Sequence, residues 1–333
     1  MIIGLIDDGK LPNLALMKIA TFHKQQGHSV VLRNIHAIGT LKADKLYCSI
    51  VFKKSKQVVE RLKMMYPDMV VGGTGWDINS KLPAEIEACN PDYDLYSVQD
   101  VLVRNSRWTG KAENRRIKAE EIASAGIGFS SRGCIRKCGF CVVPEKEGEL
   151  RQETPIKDIV NPQSNRIVLL DNNFTADPYA VEKLKEIKNR GLAINITQGI
   201  DIRLMTEDLA KALSEVKWWS SVHYAWDIPA QERLVMEGVS ILSRYVRKYR
   251  HMCYTLVGFN STFEEDWFRC RKLIEMGVAP LVMLYNETND VKLRHFARWV
   301  NARIYKTCAW EEYTPWKNAQ TEQGYLLDIY GAA

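Results

Sequence analysis

Residues 166–196, RIVLLDNNFTADPYAVEKLKEIKNRGLAINI, contain one complete strand–helix–strand unit. They start with an apolar run, continue with apolar residues at helical spacing, and return to a second apolar run. Gly191 stands where the helical pattern stops, as expected for a residue that closes a helix. This order predicts two parallel strands that are joined by a right-handed crossover.

The same unit recurs on both sides of this segment. Strand candidates follow one another at intervals of about 30 residues. They begin near Ile127, Arg166, Ile194, Ser221, His251 and Ala279. Such repetition predicts an α/β domain over residues 120–333, a partial (βα)6 TIM-like barrel with a C-terminal extension. Because right-handed crossovers place all strand C-termini on one side, we expect the chemistry there.

Residues 1–110 predict a smaller Rossmann-like domain with a parallel sheet. Strand candidates at residues 2–6, 29–32, 46–52 and 69–71 alternate with helical patterns, which is typical of such a sheet. Residues 104–120, RNSRWTGKAENRRIKAE, are polar and mostly basic. Their lack of an apolar period predicts an exposed connection between the two domains.

The composition is that of an ordinary globular protein, with 333 residues, 46% apolar and 26% charged. The net charge of +6 permits an anionic partner but does not indicate one. The N-terminus lacks the pattern of a secretory signal, and no uncharged apolar stretch approaches the ~20 residues of a membrane span. We therefore expect a cytoplasmic protein without a membrane partner. In that reducing compartment, clustered cysteines are more often metal ligands than disulfides.

Three of the eight cysteines lie in one loop after the first strand of the second domain. Cys134, Cys138 and Cys141 have the spacing C-x3-C-x2-C, and Phe140 precedes the last of them. Thiolates bind iron–sulfur clusters, and three of them can hold three corners of a four-iron cluster. The fourth iron then keeps the open coordination position that catalysis at a metal needs. The spacing therefore predicts a [4Fe–4S] cluster on these three cysteines.

Two other interpretations of the cysteine loop remain. A structural zinc site would need a fourth ligand, which His223, Cys253 or Cys308 could supply only through the fold. A redox pair of Cys138 and Cys141 would leave Cys134 without a role.

The cysteine motif, placed after the first strand of a βα barrel, resembles the signature of the radical S-adenosylmethionine (SAM) superfamily. The resemblance implies that SAM binds the open iron through its amino and carboxylate groups, with Phe140 of the motif beside the cofactor. It also implies that a donor such as flavodoxin or ferredoxin reduces the cluster. SAM is then cleaved to methionine and a 5′-deoxyadenosyl radical. The radical takes a hydrogen atom from a substrate that the sequence does not identify.

The end of the second strand supplies the first candidate SAM contacts. In similar enzymes this location binds the amino group of SAM, often through a Gly-Gly-Glu motif that is absent here. Asp171, Asn172 and Asn173 occupy the corresponding place, and we expect them to substitute for it. The alternative is that the two asparagines shape a turn and that Asp171 caps a helix.

The later strand ends supply further candidates. Gln198, Asp201 and Arg203 follow the third strand, where similar enzymes contact the ribose and the carboxylate of SAM, and a guanidinium fork suits a carboxylate. A structural pair of Asp201 and Arg203 is the alternative. Asp227 ends the fourth strand and Gly258 ends the fifth. A glycine there lets a backbone approach the cofactor, although it could equally serve a turn.

The N-terminal domain resembles the Rossmann-type cobalamin domain of many radical SAM enzymes, and residues 70–78, VVGGTGWDI, resemble the glycine-rich strand end of such domains. The hallmark Asp-x-His-x-x-Gly is replaced by Asp7-Asp8-Gly9-Lys10, so we expect a degenerate domain that does not bind cobalamin. Methylthiotransferases also pair an N-terminal domain with a radical SAM barrel. That domain brings three cysteines for a second cluster, whereas residues 1–110 contain only Cys48 and Cys89.

A hypothesis from a different class is a non-catalytic Fe–S or zinc protein that binds nucleic acid. It rests on the basic residues 104–120 with Trp108, and on the aromatic residues of 313–330. Salt-dependent binding that is lost when Arg115 and Arg116 are neutralised would favour it. A solvated surface is the more common meaning of such a charge run. A combined hypothesis is an RNA-modifying radical SAM methyl- or methylthiotransferase.

Overall fold

The structure is a computed structural model and describes residues 1–39 and 41–313. The chain divides into two compact units. The first consists of Met1–Gly128, Val142–Gly148 and Lys157–Ile167, and the second of Phe129–Cys141, Glu149–Ile156 and the residues from Val168 onwards. The assignment of 1–110 and 120–333 to two functional domains stays a prediction. Residues 314–333, with most of the expected aromatic tail and C-terminal extension, lie outside the described residues.

Strands and helices alternate through the chain, and each predicted strand lies at or next to an observed one. The strands are β1 (Ile2–Asp7), β2 (Ser29–Asn34), β3 (Lys45–Ser49), β4 (Val70–Gly72), β5 (Gly126–Gly128), β6 (Ser131–Arg132), β7 (Arg151–Gln152), β8 (Arg166–Leu169), β9 (Ala193–Ile196), β10 (Lys217–Trp218), β11 (Val222–Ala225), β12 (His251–Val257) and β13 (Ala279–Leu284). The helices are α1 (Leu14–Gln25), α2 (Lys56–Met65), α3 (Ala84–Glu87), α4 (Val98–Arg104), α5 (Ala112–Ser124), α6 (Val143–Lys146), α7 (Ile156–Ile159), α8 (Ala180–Asn189), α9 (Glu207–Glu215), α10 (Glu232–Ser243), α11 (Phe263–Glu275) and α12 (Val291–Asn301).

The first unit is built on a parallel sheet with the strand order β2-β1-β3-β4. Apolar residues of β1 alternate between its two faces. Ile3 and Leu5 pack with Leu16 of α1, whereas Ile6 packs with Val59 of α2. Helices therefore cover both faces, which is why β1 is apolar at nearly every position. The predicted mixed α/β class with parallel sheets is confirmed.

The segment that was expected to be an exposed connection, residues 104–120, is mostly exposed, but residues 112–120 belong to helix α5. Ala119 and Ala123 of this helix are buried against Val101 of α4. Because two of its core residues are alanines, the helix lacks the row of large apolar residues that a periodicity search detects.

The strands that were expected to form the barrel occur in two sheets. One has the strand order β10-β9-β8-β5, and the other has the order β11-β12-β13. Lys217 and Trp218 of β10 pair with Ala193 and Ile194 of β9, and Tyr224 of β11 bridges Ile200 in the same register, so β10 and β11 lie along the same edge of the segment 193–200. In residues 1–39 and 41–313 the strands do not close, and the predicted barrel arrangement is not confirmed.

Two helices of the second unit begin at clear capping signals. The Thr206 side chain caps α9, and Thr262 forms a capping box with Glu265 at the start of α11. Both caps follow loops at strand ends, and they fix where the chain leaves those loops. Of the helices that the structure describes, none has the length and apolar character required to cross a membrane.

Candidate functional site

The three clustered cysteines lie on one loop of the second unit, directly after β6. All three are half-buried, and none of them forms a disulfide. The Cys141 amide donates to the Cys138 carbonyl over 3.0 Å, which closes a turn between these two residues. The Cys134 sulfur accepts hydrogen bonds from the Arg136 amide and from the Asn173 side chain, each at 3.3 Å. The loop thus carries three thiols, and N–H groups donate to the first of them.

The residues after β8 hold the start of this loop. The Asp171 carboxylate is fully buried and accepts hydrogen bonds from the amides and hydroxyls of Ser130 and Ser131. Asn172 accepts the Gly133 amide at 2.9 Å. The predicted SAM contacts at this strand end are therefore engaged with the cysteine loop. Their part in cofactor binding stays a prediction.

The end of β9 holds the middle of the same loop. Arg203 donates to both oxygens of the Asp201 carboxylate, at 2.6 and 2.8 Å, and Arg136 donates to one of them at 3.1 Å. The Asp201 side chain is 5% exposed, and these two guanidinium groups hold its pKa below the usual range even though burial raises it. This is the structural pair that the sequence left open as an alternative. Gln198, the third predicted residue here, is exposed.

Aromatic side chains from two strand ends accompany Phe140. Phe140 meets the ring of Phe259, which follows β12, edge to face at a centroid distance of 5.3 Å. Phe259 meets the ring of Tyr285, which follows β13, at 4.7 Å. The three rings form a connected apolar group that includes the residue directly before Cys141.

Gly258 and Asp227 end β12 and β11. Gly258 has a φ of +80°, a conformation that favours glycine, and its amide donates to Asp266 at 3.1 Å. These features fit the turn that the sequence left open as an alternative, and the part of Gly258 in SAM binding stays a prediction. Burial raises the pKa of Asp227 to about 6, although the Leu256 amide and the guanidinium groups of Arg269 and Arg203 favour its charged form.

We expect Asp227→Asn to stabilise the protein at neutral and alkaline pH. A carboxyl group whose folded pKa is raised stabilises the fold below its unfolded pKa near 3.8, and this stabilisation is lost as the pH rises through about 6. At pH 8 the asparagine variant should therefore exceed the wild type by about 1–3 kcal/mol of unfolding free energy. Urea unfolding under reducing conditions at pH 4 and pH 8 measures this. An equal difference at both pH values would contradict it.

Burial also raises the pKa of the Cys138 thiol. The Arg203 guanidinium opposes this rise, and the neighbouring Cys141 and Cys134 thiols add to it. The electrostatic environment of Cys138 thus includes both of the other thiols and a cation from the end of β9.

The sequence identified the three thiols but missed Ser130, Ser131 and Thr175, which hold the strand ends and the loop together. Such small polar residues have no sequence signal of their own.

The donor chemistry of the loop fits an iron–sulfur cluster. Thiolates of cysteines outside disulfides are the ligands that such clusters use, and N–H groups donate to the Cys134 sulfur, as they do to cluster sulfurs. Among residues 1–39 and 41–313, no three His, Cys, Asp or Glu side chains are arranged to coordinate a metal ion. The thiols therefore supply suitable donors, and the geometry of coordination is left to experiment.

The first unit offers a poorer set of donors. Cys48 lies on β3 and is 2% exposed, and burial together with the carboxylates of Asp8 and Asp7 raises its pKa to about 12. Asp8 accepts the amides of Val51 and Phe52, and Asp7 pairs with Arg104. The residues after β1, which occupy the place of the cobalamin motif, thus serve the fold of this unit.

The glycine-rich turn after β4 is used for close packing. A Cβ on Gly73 would lie 2.3 Å from the Ile50 carbonyl oxygen, and one on Gly75 would lie 2.7 Å from the Phe52 nitrogen. The Gly75 amide donates to the Ile50 carbonyl, and the Trp76 amide donates to the Gly73 carbonyl. Both observations indicate that these glycines serve a tight turn.

Comparison with known proteins gives a partial match. No family model matches the chain. The similar curated proteins include ribosomal protein uS12 methylthiotransferases RimO. The protein from Pasteurella multocida is 27% identical over 111 residues, or 32% of this chain and 24% of its own length. That from Nitrosomonas europaea is 29% identical over 110 residues, or 32% and 23%. That from Actinobacillus succinogenes is 28% identical over 111 residues, or 32% and 24%.

The chain spans about a quarter of the length of these relatives. The relatives are methylthiotransferases by name, and methylthiotransferases are among the radical SAM enzymes that the sequence resembles. The similarity, like the spacing of the three cysteines, therefore supports the radical SAM superfamily for this chain.

Proposed function

We propose that this protein is a radical SAM enzyme in which Cys134, Cys138 and Cys141 hold a [4Fe–4S] cluster. The observation that carries the proposal is the loop itself, which has three cysteines outside any disulfide and is held in place by contacts from the ends of β8 and β9. With SAM on the open iron, one electron from the reduced cluster would break the bond between sulfur and C5′, release methionine, and leave a radical that takes a hydrogen atom from the substrate.

The chain's own residues have separable tasks in this proposal. Asp171 and Asn172 orient the loop, and Asp201 ties it to Arg203 and β9. The rings of Phe140, Phe259 and Tyr285 exclude water from one side. Asp227, Gln198 and Gly258 remain candidate SAM contacts. Flavodoxin or ferredoxin as electron donor, and a cytoplasmic location, belong to the same proposal.

Transfer of a methylthio group is a second candidate activity. The relatives found by comparison are named as methylthiotransferases of ribosomal protein uS12. The first unit argues against this activity, because methylthiotransferases bring three cysteines for a second cluster in their N-terminal domain. Here Cys48 is buried, and Cys89 is half-buried. A methylthio group that mass spectrometry detects on uS12 after incubation with the loaded protein would favour this candidate.

Nucleic-acid binding without catalysis has less support. The basic stretch that suggested it lies largely on helix α5, where Arg116 pairs with Glu120, and the Lys118 ammonium lies 4.4 Å from the centre of the Trp108 ring. Basic side chains and the Trp108 ring, which were expected to contact phosphates and bases, thus contact other residues of the chain.

The test is anaerobic reconstitution with iron and sulfide, reduction with dithionite, and assay for 5′-deoxyadenosine from SAM. We expect the product only when the cluster, the reductant and SAM are all present. A protein that retains iron and sulfide but forms no 5′-deoxyadenosine, or that binds zinc in their place, would contradict the proposal.

A further inference from the structure

Three consecutive residues after β8 contact successive residues of the cysteine loop. Asp171 is fully buried, and its carboxylate accepts the amides of Ser130 and Ser131 at 2.7 and 2.8 Å and their hydroxyls at 2.6 and 2.8 Å. Hydrogen bonds to a carboxylate are stronger than hydrogen bonds between two neutral groups, and here all four donors belong to two adjacent residues. Asp171 therefore fixes the backbone directly before the first cysteine.

The next two residues continue the series. The Asn172 side-chain oxygen accepts the amide of Gly133, whose φ is +84°, at 2.9 Å. The Asn173 side-chain nitrogen donates to the Cys134 sulfur at 3.3 Å. Asn173 is 4% exposed, and its side-chain oxygen accepts the Thr175 hydroxyl at 3.3 Å, which fixes which way the amide faces. The order of the three residues thus matches the order of their partners.

We propose that Asp171, Asn172 and Asn173 form a clamp that sets residues 130–134 before a cluster binds, and that Asn173 is a positioning residue that raises the cluster's reduction potential through its N–H···S bond. The clamp is a property of the chain alone. Its effect on the potential rests on the proposed function, because hydrogen bonds to cluster sulfurs stabilise the reduced, more negative state.

The clamp is tested in the protein without a cluster. Asn172→Leu removes the acceptor of the Gly133 amide at similar size, whereas Asn172→Asp keeps an acceptor oxygen in its place. We expect hydrogen exchange of residues 129–137 to be about fivefold to tenfold faster in the leucine variant, and near the wild-type rate in the aspartate variant. Unchanged exchange in the leucine variant would overturn the clamp.

The effect on the potential is tested in the loaded protein by a redox titration that follows the EPR signal. Asn173→Leu should take up the same amount of iron and show a midpoint potential more negative than that of the wild type. Asn195→Leu is the matched control, because Asn195 lies on β9 and accepts the Ser220 hydroxyl. Equal potentials in Asn173→Leu and the wild type would overturn this role.

The outcomes separate the two proposals. If the wild type takes up no cluster, the proposed function fails together with the tuning role of Asn173, and the exchange experiment still decides the clamp. If Asn173→Leu does not fold, Asn173→Ala takes its place in the redox titration, because it also lacks the N–H donor to Cys134. The exchange of Asn172→Leu and Asn172→Asp decides the clamp.

Discussion

Replacing any one of Cys134, Cys138 and Cys141 by alanine is expected to reduce the iron retained after reconstitution to less than about a tenth of the wild-type amount. Three thiolates are the minimum protein ligand set for a four-iron cluster with one open iron. Two ligands leave a second corner exposed to solvent and oxygen, so the cluster should dissociate. Formation of 5′-deoxyadenosine should fall to background in all three variants.

The fold should survive these replacements. The three side chains are half-buried, and truncation at such positions usually changes the unfolding free energy by less than about 1 kcal/mol. Cys89→Ala and Cys308→Ala are matched controls, because both thiols are also free and half-buried but lie outside the loop. Iron analysis and thermal unfolding of all five variants separate loss of ligands from loss of folding. Full iron content in any loop variant would contradict its role as a ligand.

Arg269→Met is expected to destabilise the protein by about 3–5 kcal/mol. The Arg269 side chain is completely buried on α11. It donates to the carbonyls of Trp226 and Leu256 at 2.6 and 2.8 Å and forms an ion pair with Asp266. Methionine fills similar space but leaves two carbonyls without this donor and a buried carboxylate without its cation. Removal of one partner of a buried pair is costly for this reason.

The same network shapes two strand ends next to the candidate site. Trp226 and Leu256 precede Asp227 and Gly258, and Asp266 accepts the Gly258 amide at 3.1 Å. Loss of Arg269 should therefore loosen these ends, and Arg269→Lys should restore only part of the stability because an ammonium lacks the guanidinium fork.

Arg271→Met is the matched control for Arg269→Met. Arg271 lies on the same helix, its side chain is 50% exposed, and its pair with Glu275 should contribute at most about 0.5 kcal/mol. Urea unfolding of the three arginine variants measures the difference. An Arg269→Met variant as stable as Arg271→Met would show that the buried network does not hold the strand ends.

Local patterns of the sequence predicted the order of elements well. The strand starts at Arg166, His251 and Ala279 agree with β8, β12 and β13, because buried parallel strands have unbroken apolar runs. The two-residue strand β10 could not be predicted, since Lys217 and Trp218 have no strand pattern. It pairs with the segment 193–200 in the same register as Tyr224 of β11, and the ladder is interrupted between these two strands.

The sequence predicted which residues belong to the candidate site but not which groups they contact. The cysteine spacing identified the thiols, and the strand-end rule identified Asp171 and Asp201. Which groups these carboxylates would meet depends on contacts across 41 and 65 residues of sequence, to Ser130 and Arg136. Such contacts follow from the fold, so the sequence alone could not tell a cofactor contact from an anchor of the loop.

The central claim is that three thiolates hold a four-iron cluster whose remaining iron accepts SAM. The EPR spectrum of the reduced, reconstituted protein with and without SAM tests it most directly. Direct binding of SAM to an iron predicts a spectrum that changes when SAM is added, and no such signal in a protein without the three loop cysteines. A reduced-cluster signal that SAM leaves unchanged, or that persists without these cysteines, would contradict the account.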